Sequence, residues 1–220
     1  MIELVLTTLM LGIMFGVVFA LFNMATGAFN YSITRQDLQS EGRRIMNSLD
    51  SDMRQTDYHS VAVVNDATRI VGGFPRHALC FAGLHDWSRK TALDPVSLQP
   101  TWDHYVLYYA TKSQPYGSLV HAILEPPAAE ISGLPLDRII NNPASFLSEP
   151  PTGNPAIQTQ WEILSKNVET FKVQSSSLVA GMNFRIVLKD TARRLEPVKK
   201  SKLSFDIHFD LVPENTKPRR

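Results

Sequence analysis

The chain has 220 residues, a formal net charge of +1 and 20% charged side chains. That balance supplies no basic field for nucleic acid and no acidic tail, and large apolar residues are too plentiful for a disordered chain. A single cysteine, Cys80, excludes an intrachain disulfide and a multi-cysteine metal site; within the apolar run Ala78 to Leu84 it reads as a small buried hydrophobe.

The first element dominates the chain. Met1-Ile2-Glu3 opens directly into an apolar run from Leu4 to Phe22, and after Glu3 no charged side chain occurs until Arg35. A spanning helix needs about 20 mainly apolar residues, which this run and the milder Asn23 to Thr34 supply. No basic segment precedes it, the run exceeds the h-region of a signal peptide, and Ala20, Ala25 and Ala28 sit inside helical sequence rather than in a cleavage motif. Residues 1–34 therefore read as a retained membrane helix. A carboxylate at the edge of hydrocarbon is costly unless paired or functional, which makes Glu3 the most informative residue of the segment. Gly12, Gly16 and Ala20 form a small-x-x-x-small row of the kind that lets helix backbones approach closely in lipid; chance placement would give the same row. Arg35, Arg43, Arg44 and Arg54 follow the run, so the positive-inside rule alone would put the globular part in the cytoplasm.

The helical pattern continues through 35–57. Leu38, Gly42, Ile45, Met46, Leu49 and Met53 recur at spacings of three and four, a narrow apolar stripe that docks on a globular part. Arg35, Asp37, Glu41, Arg43, Arg44, Asp50, Asp52 and Arg54 mix both signs on the other faces and read as solvated. One helix from Ile2 to about Gln55 would be roughly 80 Å long.

Past Tyr58 the period changes. Ser60 to Val64, Ala67 to Val71, His77 to Phe81 and Tyr105 to Tyr109 are short, β-branched or aromatic runs. Gly117 to Leu124 follows Gln114-Pro115-Tyr116 as the return of a hairpin. Glu125 to Pro155 carries seven prolines and reads as loop with one short helix near Leu136 to Ile140. Trp161 to Leu164, Val168 to Gln174, Met182 to Leu188 and Leu203 to Leu211 read as strands, the last three with clean alternation. Without helices of crossover length between them, the strands predict a largely antiparallel sheet. The fold class is α+β: one long N-terminal helix packed on a β-rich head over 58–212, with a polar, frayed tail over 213–220.

Chemistry-bearing patterns are sparse. His77, His85, His104 and His121 lack metal-ligand spacing, and no catalytic residue, metal site or cofactor is expected. Asp206, His208 and Asp210 alternate on one strand face and read as its wet side. Trp102, Tyr105, Tyr108 and Tyr109 read as core aromatics.

Ile2-Glu3-Leu4-Val5, ahead of a long apolar helix, resembles the (L/I)-(I/L/V)-E-(L/V) core of the type IV pilin superfamily, which includes the pseudopilins of type II secretion. Gln39 to Gln55 resembles the helix end of PilW-like minor pilins and J-type minor pseudopilins, which commonly carry a leucine-rich turn followed by an R-D-L-R-like sequence. Ile163 to Val173 resembles their (L)-x-x-x-V-x-x-F-x-V strand, and Leu203 to Leu211 their closing strand. The resemblance covers about the first 55 residues well and about the last 60 loosely. It implies a pilin-like fold and a structural subunit rather than an enzyme. In the family the glutamate matched by Glu3 meets the amino terminus of a neighbouring subunit during assembly, and Gly12, Gly16 and Ala20 would line the packed helices. Main pilins carry a softening proline near Ala20; its absence implies a straighter helix here.

The resemblance also implies partners: other pilin or pseudopilin subunits, inner-membrane lipid, and a prepilin peptidase that cuts a leader and methylates the new terminus. The leader, its glycine and two mature residues are missing before Met1, so the pattern implies a start lying upstream, or else a truncated copy. A basic leader would place the head outside the cytoplasm, in the periplasm or on the surface filament. A different class of function is a membrane-anchored extracytoplasmic binding or adhesin module that never polymerises.

Overall fold

The computed structural model describes residues 2–65, 67–84, 88, 93, 95, 100–125, 158–175, 181–192 and 201–213. A single helix, α1 (Ile2–Arg54), runs for 53 residues without a break, about 80 Å at the α-helical rise. The glycines at 12, 16, 27 and 42 do not interrupt it, and it contains no proline.

The head is an antiparallel meander. Strands β1 (Ala62–Val64), β4 (Ala78–Gly83), β5 (His104–Ala110), β6 (Gly117–Glu125), β7 (Gln158–Ser175), β8 (Met182–Ala192) and β9 (Ser201–Leu211) form one seven-stranded sheet in the order β1-β4-β5-β6-β7-β8-β9. A separate hairpin, β2 (Ile70–Val71) and β3 (Phe74–Pro75), sits between β1 and β4 in sequence. Its two-residue turn is Gly72-Gly73, with φ of 59° and 85°. Positive φ at both central residues is the geometry that matches strand twist, and glycine adopts it without a Cβ clash. The β5–β6 loop contains a cis Gln114–Pro115 bond.

Several sequence expectations change in detail. Ala67–Arg69 is a 3₁₀ turn, leaving only Ile70–Val71 as strand. The runs Trp161 to Leu164 and Val168 to Gln174 belong to one 18-residue strand, β7. The polar stretch Ser165-Lys166-Asn167 hides this continuity, and register shifts against both neighbours absorb it. Pro213, assigned to a frayed tail, is buried. The proline-rich stretch beyond Glu125 with its short helix, residues 214–220 and His85 lie outside the described residues.

The second half of α1 packs on one face of the sheet. Leu38, Ile45, Leu49 and Met53 join Leu79, Phe81, Val106, Leu119, Phe171, Phe184, Ile186 and Leu188 in the main core. Met46, expected in the stripe, is only half-buried. Gly42 lets β9 side chains lie close against the helix: a Cβ there would stand 2.6 Å from Ile207 Cδ1 and 2.7 Å from Phe205 Cε1. Ile45 and Leu49 are fully buried, each contributing about 1.5–3 kcal/mol by area. Strands β4 and β5 are buried on both faces; Cys80, Tyr105, Leu107 and Tyr109 form a second cluster on the face away from the helix. Burial pushes the Cys80 thiol up, well away from reactive thiolate character.

Candidate functional site

The first half of α1 is the unusual surface. From Ile2 to Phe22 every residue is exposed, including Leu4, Val5, Leu9, Phe15 and Phe19. Large exposed apolar surface of this extent marks an interaction or membrane site. Among the described residues one helix is long and apolar enough to cross a membrane, and its apolar window is wholly unburied; this is consistent with a single-pass anchor. Its hydroxyls are satisfied internally. Thr7 Oγ1 donates to Glu3 O at 2.7 Å, Thr8 Oγ1 to Leu4 O at 2.8 Å and Thr26 Oγ1 to Phe22 O at 2.8 Å. Such back-bonding removes the cost of bare hydroxyls in hydrocarbon.

Glu3 is exposed in the first turn, where a carboxylate meets the positive end of the helix dipole. Among the described residues its carboxylate has no partner. Gly12, Gly16 and Ala20 are exposed too, and apart from its own helix nothing lies within 4 Å of a Cβ placed on Gly12 or Gly16.

The second half of α1 is fixed by a polar clamp as well as by its apolar stripe. Arg44 Nη2 donates to Ile163 O at 3.1 Å and to Leu164 O. Ser165 Oγ donates to Glu41 Oε2 at 2.6 Å. Near the helix end, Tyr108 Oη donates to Asp52 Oδ2 at 2.5 Å and Ser48 Oγ lies 2.7 Å from the same phenol. His121 stacks on the Tyr108 ring at 4.7 Å. Its Nδ1 faces Glu162 Oε1 at 3.2 Å, and its Nε2 lies 3.2 Å from Asp52 Oδ2, off the line of a hydrogen bond. Burial acts to lower the His121 pKa, but Asp52 and then Glu162 outweigh it, and the net shift is upward. Burial and then Asp52 push the Tyr108 phenol up.

Sequence reasoning placed Glu41, Arg44 and Asp52 on a solvated face; Arg44 is exposed although it bonds to β7, while the clamp half-buries Glu41 and Asp52. A signal was present: Glu41, Arg44, Ser48 and Asp52 each precede a buried stripe residue by one position and flank the stripe along its length. Two other structural residues, Arg69 and Arg76, were not foreseen. Arg76 is buried at 1% exposure. Its guanidinium donates to Glu169 O at 2.7 Å, Thr111 O at 2.8 Å and Ser113 O and Pro115 O at 3.4 Å each. Arg69 Nε donates to Arg76 O at 2.7 Å. Together they tie the β2–β3 hairpin to the sheet. Gly117 makes room for this: a Cβ there would collide with Arg76 Nη1 and Thr111 O.

The remaining sequence candidates fall where packing explains them. His77 Nδ1 contacts Val173 at the backbone, accepting from its N–H at 3.1 Å. His104 Nδ1 pairs with Asp103 at 2.6 Å. Tyr105 and Tyr109 are buried and Trp102 is half-buried. Asp206, His208 and Asp210 are exposed on β9; Asp206 pairs with Arg185 and His208, and Asp210 accepts from Asn183. Among the described residues no three His, Cys, Asp or Glu side chains group as metal ligands.

No protein-family model, curated protein or solved structure matches the chain. What the fold defines is a class by shape: an α+β head on a long helix whose free half is apolar all round.

Proposed function

We propose that the chain is a minor pilin or pseudopilin subunit. It is held in the inner membrane with its head outside the cytoplasm until α1 enters a bundle of like helices in a type IV pilus or a type II secretion pseudopilus. The observation that carries this reading is the division of one unbroken helix. Ile2–Phe22 is apolar and fully exposed with one acid, Glu3, at its mouth, while Leu38–Met53 is docked along a sheet. A plain anchor has no need of a carboxylate at the apolar end, where it is costly. A carboxylate that meets the amino terminus of a neighbouring subunit neutralises two charges entering an apolar bundle. The exposed row Gly12, Gly16, Ala20 would let neighbouring helices approach closely. The work is assembly, with prepilin peptidase and other subunits as partners and without catalysis or cofactor.

The test is Glu3→Ala, expressed from the chain's own locus. Filaments sheared from the cells are probed for the subunit, and membranes are probed for protease-resistant head. The expected outcome is loss from the sheared fraction with an intact head in the membrane. Equal incorporation of Glu3→Ala overturns the role of Glu3. If the unaltered chain stays in the membrane and never enters sheared material, the anchored binding module is the correct reading.

A further inference from the structure

The sheet face turned away from α1 carries an arrangement that the assembly reading does not use. On β7, β8 and β9, residues 172, 185 and 208 are directly opposite one another: Lys172 pairs with Arg185, and Arg185 with His208. Like charges placed directly opposite across strands, as Lys172 and Arg185 are, are destabilising. Asp206 relieves part of the row, at 2.9 Å from Arg185 Nη2 and 3.2 Å from His208 Nε2. Among the described residues Lys172 has no hydrogen-bonded or ion-pair partner.

Lys172 and Arg185 of this row line a trough of about 460 Å³ together with Phe74, Thr170, Val187 and Lys189. The β2–β3 hairpin overhangs it. Phe74 is 40% exposed, and Lys189 Nζ lies 5.7 Å from its ring centroid while pairing with Glu169 at 2.6 Å. The overhang is tied to the sheet by Arg69, which donates to Ala110 O, and by Arg76, which donates to Glu169 O. Lys172, Arg185 and Lys189 exceed the two acids of the trough, Glu169 and Asp206, by one charge.

We infer that this trough binds an extended acidic segment of a partner protein. Along β8 the outer face reads Arg185, Val187, Lys189. At the strand rise the two cations, each already holding one acid of the trough, stand about 13 Å apart, too far for one small anion to bridge and matched by carboxylates four residues apart on an extended chain that share them. Val187 and Phe74 supply the apolar contact between them. The partner's carboxylates neutralise the Lys172–Arg185 row, and charge-assisted contacts of this kind carry direction as well as affinity. The trough lies on the face opposite α1, so the inference holds whether or not the chain polymerises.

The test uses the full chain in detergent micelles and a fluorescein-labelled peptide with glutamates four residues apart flanking a leucine. Binding measured by anisotropy is expected to be saturable, to weaken with salt, and to fall about tenfold or more in Lys172→Glu. Lys172→Arg should bind as the unaltered chain does, and so should Lys166→Glu, an exposed position on the same strand outside the trough. Matching thermal melts of these variants exclude a folding defect. Unchanged affinity in Lys172→Glu overturns the proposal. Equal binding of the peptide with lysines in place of its glutamates also overturns it, as does complete displacement by inorganic phosphate, which would make the trough a small-anion site.

Discussion

The two halves of α1 share one backbone and one helical geometry but solve opposite problems. From Ile2 to Phe22 the side chains are apolar on every face and none is buried. From Leu38 to Met53 a stripe of Leu38, Gly42, Ile45, Leu49 and Met53 recurs every three or four positions and is buried, with Met46 beside it half-buried. A helix that is apolar all round needs an apolar surrounding, whereas a striped one needs a single partner surface. The difference shows why total hydrophobicity is a poor guide to where a helix is stabilised. The more apolar half adds nothing to the stability of the head, and the more polar half holds it together.

The strongest way to break this contrast is truncation within each half. Ile45→Ala is expected to destabilise the head by about 2–5 kcal/mol, while Leu11→Ala leaves it within about 0.5 kcal/mol, both read by denaturant unfolding in detergent. Next come the glycines. Gly42→Val is expected to cost about 1–3 kcal/mol, because its side chain would enter the space of Ile207 and Phe205. Gly16→Val meets no side chain and should leave the stability of the head unchanged.

The clamp gives a smaller, pH-dependent effect. His121 has a raised pKa in the folded chain, so its stabilising contribution is complete below the unfolded value of about 6.5. It is lost as pH rises through the higher folded value. Melting temperature should therefore fall over that window, and the slope should disappear in His121→Gln. The smallest effect belongs to the outer face of the docked half. Arg54 Nε pairs with Asp50 at 2.9 Å with both side chains well exposed, and Asp50→Ala should cost no more than about 0.5 kcal/mol.

Much of this contrast was legible in the sequence. The uncharged run after Glu3 and the stripe at Leu38, Gly42, Ile45, Leu49 and Met53 obey local periodicities, and local periodicity survives into the fold. Strands β8 and β9 alternate so regularly that their outer and inner faces could be assigned directly. What stayed hidden depends on contacts between distant positions. Arg76 reads as an ordinary surface arginine because its acceptors come from residues 111, 113, 115 and 169. The trough was hidden for the same reason: Lys172 and Arg185 become neighbours only through strand register, and a single strand cannot reveal a cross-strand row of like charge. The Tyr108–Asp52–His121 cluster likewise joins α1, β5 and β6, although the position of Asp52 beside the stripe gave half of it.

The unbroken course of α1 has a mechanical consequence. A pull on the apolar end travels along the helix axis and reaches the head as shear along the docked stripe. In shear, Leu38, Ile45, Leu49 and Met53 bear the load together, with Arg44, Glu41 and Asp52 resisting the same slide. A force that lifted the helix off sideways would meet those contacts one at a time. The head is therefore built to hold when tugged lengthwise and to part when peeled.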